Sequence, residues 1–99
     1  MDIVLSITSS GINTAGESYS LECSATMAVE SYIQPTFMWL DGMNMEIIVN
    51  TTGSVSTLTF NPLLTSHAGI YTCSVMVGDS IANRTQQINV KSMPVKIHI

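Results

Sequence analysis

Apolar and polar residues alternate along the chain in short runs cut by turn residues, and no stretch keeps apolar residues at helical spacing for three full turns. The pattern predicts strands only. Ile3-Val4-Leu5-Ser6-Ile7 opens as an edge strand, broken by Ser10-Gly11 and again by Ala15-Gly16. From Glu17 to Ala25 the alternation is clean, with Tyr19, Leu21, Cys23 and Ala25 on one face and Ser18, Ser20, Glu22 and Ser24 on the other. Pro35 cannot donate to a central ladder, so a loop from Thr26 to Pro35 precedes the next strand, Thr36 to Leu40. Asp41-Gly42 turns the chain into one short strand over Glu46 to Val49, and Gly53 interrupts it. Val55 to Phe60 follows, ended by Asn61-Pro62. Ile70 to Val77, the Gly78-Asp79 turn and a last strand from Asn83 to Lys91 complete the set.

Composition changes this picture only by narrowing it. The 99 residues suffice for one hydrophobic core and not two, and 45% apolar with 10% charged residues fits neither a disordered chain nor a coiled coil. Arg84, Lys91 and Lys96 stand against seven acidic residues, for a net charge of −4, and never cluster, so the basic stripe that nucleic acid requires is missing. No apolar run approaches the roughly 20 residues that cross a bilayer. Met1-Asp2 leads directly into the first strand without a leader pattern, which reads as the start of a domain excised from a longer protein.

Two cysteines fit a redox pair, half of a metal site or one disulfide. Their separation of 50 residues excludes a local CxxC motif, and His67 and His98 lie far from both, so a disulfide is the economical reading. The alternation turns Cys23 and Cys73 inward on different strands, where a bridge joins two sheets. Closing such a loop stabilises by about 4 kcal/mol in the chain-entropy model. Two sequons, Asn50-Thr51-Thr52 and Asn83-Arg84-Thr85, point to the same oxidising, secretory compartment and to N-linked glycan. Trp39 sits mid-strand with Phe37 on its face, able to cover the disulfide. Tyr71 precedes Cys73 by two residues, the spacing at which its hydroxyl bonds back to nearby loop backbone.

These residues resemble the immunoglobulin superfamily over almost the whole chain. The resemblance is carried by Ser20-Leu21-Glu22-Cys23, Phe37-Met38-Trp39-Leu40, Leu58 with Phe60, and His67-Ala68-Gly69-Ile70-Tyr71-Thr72-Cys73. It implies an all-β, immunoglobulin-like two-sheet antiparallel sandwich with one inter-sheet disulfide, Cys23–Cys73, and core residues Trp39, Tyr71 and Leu58. His67 stands where the family usually has an aspartate that pairs with a base. No basic residue lies between Cys23 and His67, so that pair is absent, and His67 reads as a partly exposed turn residue. Only 32 residues separate Trp39 from Tyr71, too few for the extra strands of variable-type domains, which favours the intermediate or C2 type. Such domains are similar to those of cell-surface adhesion molecules, receptor tyrosine kinases and muscle filament proteins, and the sequons favour the first two. The stretch Ala15-Gly16-Glu17-Ser18-Tyr19-Ser20-Leu21 resembles receptors of simple animals such as sponges.

Function is then expected from surfaces rather than catalysis. Nucleophilic chemistry needs a free thiolate or converging serine, histidine and carboxylate, and the pattern offers neither these nor a glycine-rich phosphate loop; no cofactor is implied. With Trp39 and Cys73 inward, Met38, Leu40 and Met76 point outward as an apolar strip. The loop carrying Tyr32 and the turn carrying Asp79 cluster at one end of the sandwich as a second candidate contact. The expectation is an extracellular module of a receptor or adhesion protein that recognises a protein partner, including a second copy of itself; the alternative is a passive spacer in a tandem array. Residues 1–91 form the domain. Residues 92–99, ending Val95-Lys96-Ile97-His98-Ile99, extend the last strand or lead to a following domain.

Overall fold

The computed structural model describes residues 3–27, 34–49 and 51–92. In chain order the strands are β1 (Ile3–Gly11), β2 (Tyr19–Met27), β3 (Thr36–Leu40), β4 (Glu46–Ile47), β5 (Thr51–Thr52), β6 (Val55–Phe60), β7 (Gly69–Val77) and β8 (Ser80–Ile88), with one 3-10 turn over Thr65–His67. They form two four-stranded sheets, ordered β1-β2-β6-β5 and β4-β3-β7-β8, and every ladder is antiparallel. This is the expected all-β sandwich. The sheets are also linked at one edge, where Thr14 bridges Lys91 in parallel, and Lys91 N–H donates to the Asn13 carbonyl at 2.8 Å.

Each sheet turns one face inward because its strands alternate. Leu21, Cys23 and Ala25 of β2, Leu58 and Phe60 of β6, Trp39 of β3, and Tyr71, Cys73, Val75 and Val77 of β7 make the core, joined by Leu5, Leu63 and Ile88. At its centre two ties cross from sheet to sheet. Cys23 and Cys73 are bonded, with their Cα atoms 6.5 Å apart. Trp39 lies opposite Cys73 in the β3–β7 ladder and Ser56 lies opposite Cys23 in the β2–β6 ladder. The Trp39 Nε1–H donates to Ser56 Oγ at 2.9 Å, so a hydrogen bond spans the gap beside the disulfide.

Several strand limits depart from expectation, for reasons of backbone pairing. β1 runs on through Ser9 and Ser10 to Gly11, paired with Leu21, Ser20 and Tyr19, because an edge strand needs partners for its backbone and not apolar side chains. The expected strand over 46–49 is shortened to Glu46–Ile47, which pairs with β3, and the chain then crosses to the other sheet, where a further, unexpected strand, Thr51–Thr52, pairs with β6. Gly78, at φ 59°, closes a two-residue hairpin, so β8 starts at Ser80 rather than Asn83 and ends at Ile88 rather than Lys91. The 3-10 turn was not expected from a pattern of strands alone. Residues 93–99 lie outside the described residues.

Candidate functional site

The outward face of the β4-β3-β7-β8 sheet is fixed by what its strands bury. In β3, inward Trp39 sends Met38 and Leu40 outward. In β7, inward Tyr71, Cys73 and Val75 send Ile70, Thr72, Ser74 and Met76 outward. In β8, buried Ile88 leaves Gln87, Thr85, Asn83 and Ile81 on the outer side. Register then sets the rows: Thr36 beside Met76 beside Ile81, Met38 beside Ser74 beside Asn83, Leu40 beside Thr72 beside Thr85. Exposure is large for the apolar members, 43% for Met38, 52% for Ile70, 48% for Met76 and 62% for Ile81, with Leu40 half-buried. Among the described residues of this face only Glu46, opposite Leu40 at the β4 edge, is charged.

The opposite face of the sandwich has a different character. Ser6, Thr8 and Ser10 of β1, Ser20, Glu22 and Ser24 of β2, and Thr57 and Thr59 of β6 point outward there, with the apolar exceptions Val4, exposed on the edge strand, and the half-buried Val55, and Ser20 Oγ–H donates to Thr59 Oγ1. A hydroxyl surface of this kind is well hydrated and gains little from being covered. The two faces are therefore chemically distinct, and the apolar one is the candidate contact.

Of the sequence-predicted interface residues, the structure brings Met38, Leu40 and Met76 together on this face. Asp79 is exposed in the β7–β8 turn, at the end of the face beyond the Thr36–Met76–Ile81 row and not within it. Tyr32 and the sequon residue Asn50 lie outside the described residues. Asn83 is exposed on the apolar face itself, two strands from Met38 in the same row. Ile70 and Ile81 were missed. Counting by twos from Met76 along β7 reaches Ile70, so that signal is present in the sequence; Ile81 falls before the expected start of the last strand at Asn83, where the alternation assigns no face.

The sandwich base holds the remaining polar chemistry. Tyr71 Oη–H donates to the His67 carbonyl at 2.6 Å, and Leu64 N–H donates to His67 Nδ1 at 2.9 Å, so the imidazole caps the 3-10 turn as an acceptor. The Phe60 ring packs against His67 with centroids 4.7 Å apart. Burial, and secondarily the Asp41 carboxylate, push the Tyr71 phenol above its usual range. Asp41 itself accepts from the backbone N–H groups of Met43 and Met45 in the β3–β4 turn. These groups are engaged in shaping turns. Among the described residues no group of three His, Cys, Asp or Glu side chains is placed to hold a metal ion.

Comparison with known proteins agrees with this architecture. The immunoglobulin domain family model matches residues 4–76. No curated protein matches in sequence. Similar solved structures include the crystal structure of a titin M10–obscurin-like 1 Ig complex, with TM-score 0.68, 16% identity, and 91% of this chain and 100% of that one covered. The Dscam1 Ig7 domain superposes with TM-score 0.67 at 15% identity over 92% of this chain and 98% of its own. The C. elegans twitchin kinase fragment, which also holds immunoglobulin domains, gives TM-score 0.62 at 16% identity over 93% and 22%. Identities this low speak for the fold alone, a fold that is typically non-catalytic and that does not fix a cellular compartment. With two sheets, a Cys23–Cys73 bridge under Trp39 and most of its length matched, the chain belongs to the immunoglobulin domain family.

Proposed function

We propose that this domain is an extracellular recognition module of a cell-surface protein, acting by binding and not by catalysis, and that it pairs with a second copy through the β3-β7-β8 face. The observation that carries the reading is the gathering of Met38, Leu40, Ile70, Met76 and Ile81 on one nearly uncharged face, when the opposite face is hydroxyl-rich. A second copy is the occupant that charge favours. The chain carries −4, and this face holds one described carboxylate, Glu46, at its edge, so two like copies meet here without opposing rows of carboxylates. The disulfide and the two sequons support an extracellular setting. Immunoglobulin domains do occur in protein complexes, as in the titin M10–obscurin-like 1 Ig complex.

The size of the face sets the strength. Three strands, each about 4.8 Å wide, and about 3.4 Å of rise per residue from Ile70 to Met76, give a footprint of roughly 300 Å². A contact of that size is weak and transient, with a Kd of about 0.1–1 mM, and becomes useful when domains are arrayed. Sedimentation equilibrium up to about 1 mM should therefore show reversible dimer. The Met38→Glu, Met76→Glu double variant should remain monomeric throughout, with its fold intact by dichroism. A dimer unchanged by both substitutions rejects this face as the contact.

A further inference from the structure

We infer that Asn83 is an N-glycosylation site whose glycan switches the pairing face off; the inference rests on the self-pairing proposed above. Asn83 begins the sequon Asn83-Arg84-Thr85, and β8 presents Asn83 and Thr85 on the same side of the strand while Arg84 points to the other. Both are exposed. β8 ends its sheet, so no further strand crowds the position from beyond. In the modification, Asn83 Nδ2 gains a bond to the anomeric carbon of the sugar. The bond from that carbon to the phosphate oxygen of a lipid-diphosphate oligosaccharide breaks, and the amide proton leaves with the lipid diphosphate.

Position gives the modification its consequence. Asn83 stands in one row with Ser74 and Met38, and the next row holds Thr36, Met76 and Ile81. Two inter-strand steps of about 4.8 Å put Met38 about 10 Å from Asn83, within the span of the first two sugars. A branched glycan rooted there covers Met76, Ile81 and Met38 and holds a second sheet away. In a two-fold pairing each copy brings its own glycan to the contact, so the obstruction is doubled. The bare domain is then a pairing module and the glycosylated one a spacer. The two readings of the sequence become two states of one chain.

The test uses the full chain carrying Asn50→Gln, secreted from a glycosylating eukaryotic host, so that Asn83 holds the only sequon. It is compared with the same chain carrying Thr85→Ser, which keeps the sequon, and Thr85→Ala, which removes it and leaves Asn83 in place. Asn83→Gln serves as a second unglycosylated form should Thr85→Ala fold poorly. Intact mass should show glycan on the first two and none on the others. Sedimentation should show dimer only in the unglycosylated forms, with glycan raising the dimer Kd by more than about tenfold. Secreted protein with unmodified Asn83 overturns the inference, as does a glycosylated chain that dimerises as tightly as Thr85→Ala, which leaves self-pairing standing. Monomer in every form overturns self-pairing itself and the switch with it.

Discussion

Ser56 is the buried polar residue of the described core, and its hydroxyl is fully used. It accepts from Trp39 Nε1 at 2.9 Å and shares a further bond with Thr51 Oγ1 at 2.9 Å. In Ser56→Ala the indole N–H keeps its burial and loses its partner, a cost of about 1–3 kcal/mol. Thr51→Val removes only the exposed end of the relay and should cost less than about 1 kcal/mol. Denaturant titration of both, with midpoints shifting at constant slope, measures the difference; equal losses would mean that the relay, and not the indole, sets the cost. Tyr71 poses a second question at this scale. Its phenol is raised above 10.0 by burial and by Asp41, so in alkali the unfolded chain ionises first. Stability is then fully present below pH 10.0 and is lost as pH rises through the folded-state value. Tyr71→Phe should forfeit about 1 kcal/mol at neutral pH with the bond to His67, and its Tm should fall less than the wild type's on going above pH 10.0. Parallel declines in the two proteins would locate the alkaline sensitivity elsewhere.

The strands differ in how far their limits could be read beforehand. Around Cys23 and Cys73 the alternation of β2 and β7 is uninterrupted, and it divides inward from outward side chains, Met76 among them, as the alternation about Trp39 in β3 does for Met38. The ends of β1 and β8 were not legible, because Ser9, Ser10 and Ser80 pair through backbone groups that carry no sequence signal. Ser56 was illegible for another reason. A serine in a Thr-rich strand looks solvent-facing until Trp39 is known to lie across the gap. Gly11 reads as a break in the sequence, and its backbone geometry supplies the cause. It ends β1 at φ 93°, where a Cβ would collide with the carbonyl of Ser18, just before the chain leaves β2 and passes to Lys91. Gly11→Ala should therefore cost about 1–3 kcal/mol, more than a helix-propensity or surface argument allows. A midpoint shift near zero would show that the strand end can be remade.

Over the whole molecule, charge and hydrophobicity are partitioned in a way that makes the proposed pairing testable by salt alone. The chain carries −4 at pH 7, while the face holding Met38, Ile70, Met76 and Ile81 has Glu46 as its one charged described residue, at the margin. Apolar contact is nearly indifferent to dilute salt, whereas the repulsion between two like-charged bodies is not. With centres about 25 Å apart in water, two charges of −4 repel by roughly 3 kcal/mol before screening. A Debye length of about 30 Å at 0.01 M leaves close to half of this, and one of about 8 Å at 0.15 M leaves almost none. Dimerisation should accordingly tighten by roughly 1 kcal/mol, about fivefold in Kd, between those two salt concentrations. Pairing built on complementary charges responds with the opposite sign, because screening removes its attraction. A dimer that loosens as salt is added would place the contact at Arg84, Lys91 or another charged edge, and not on the methionine-lined sheet.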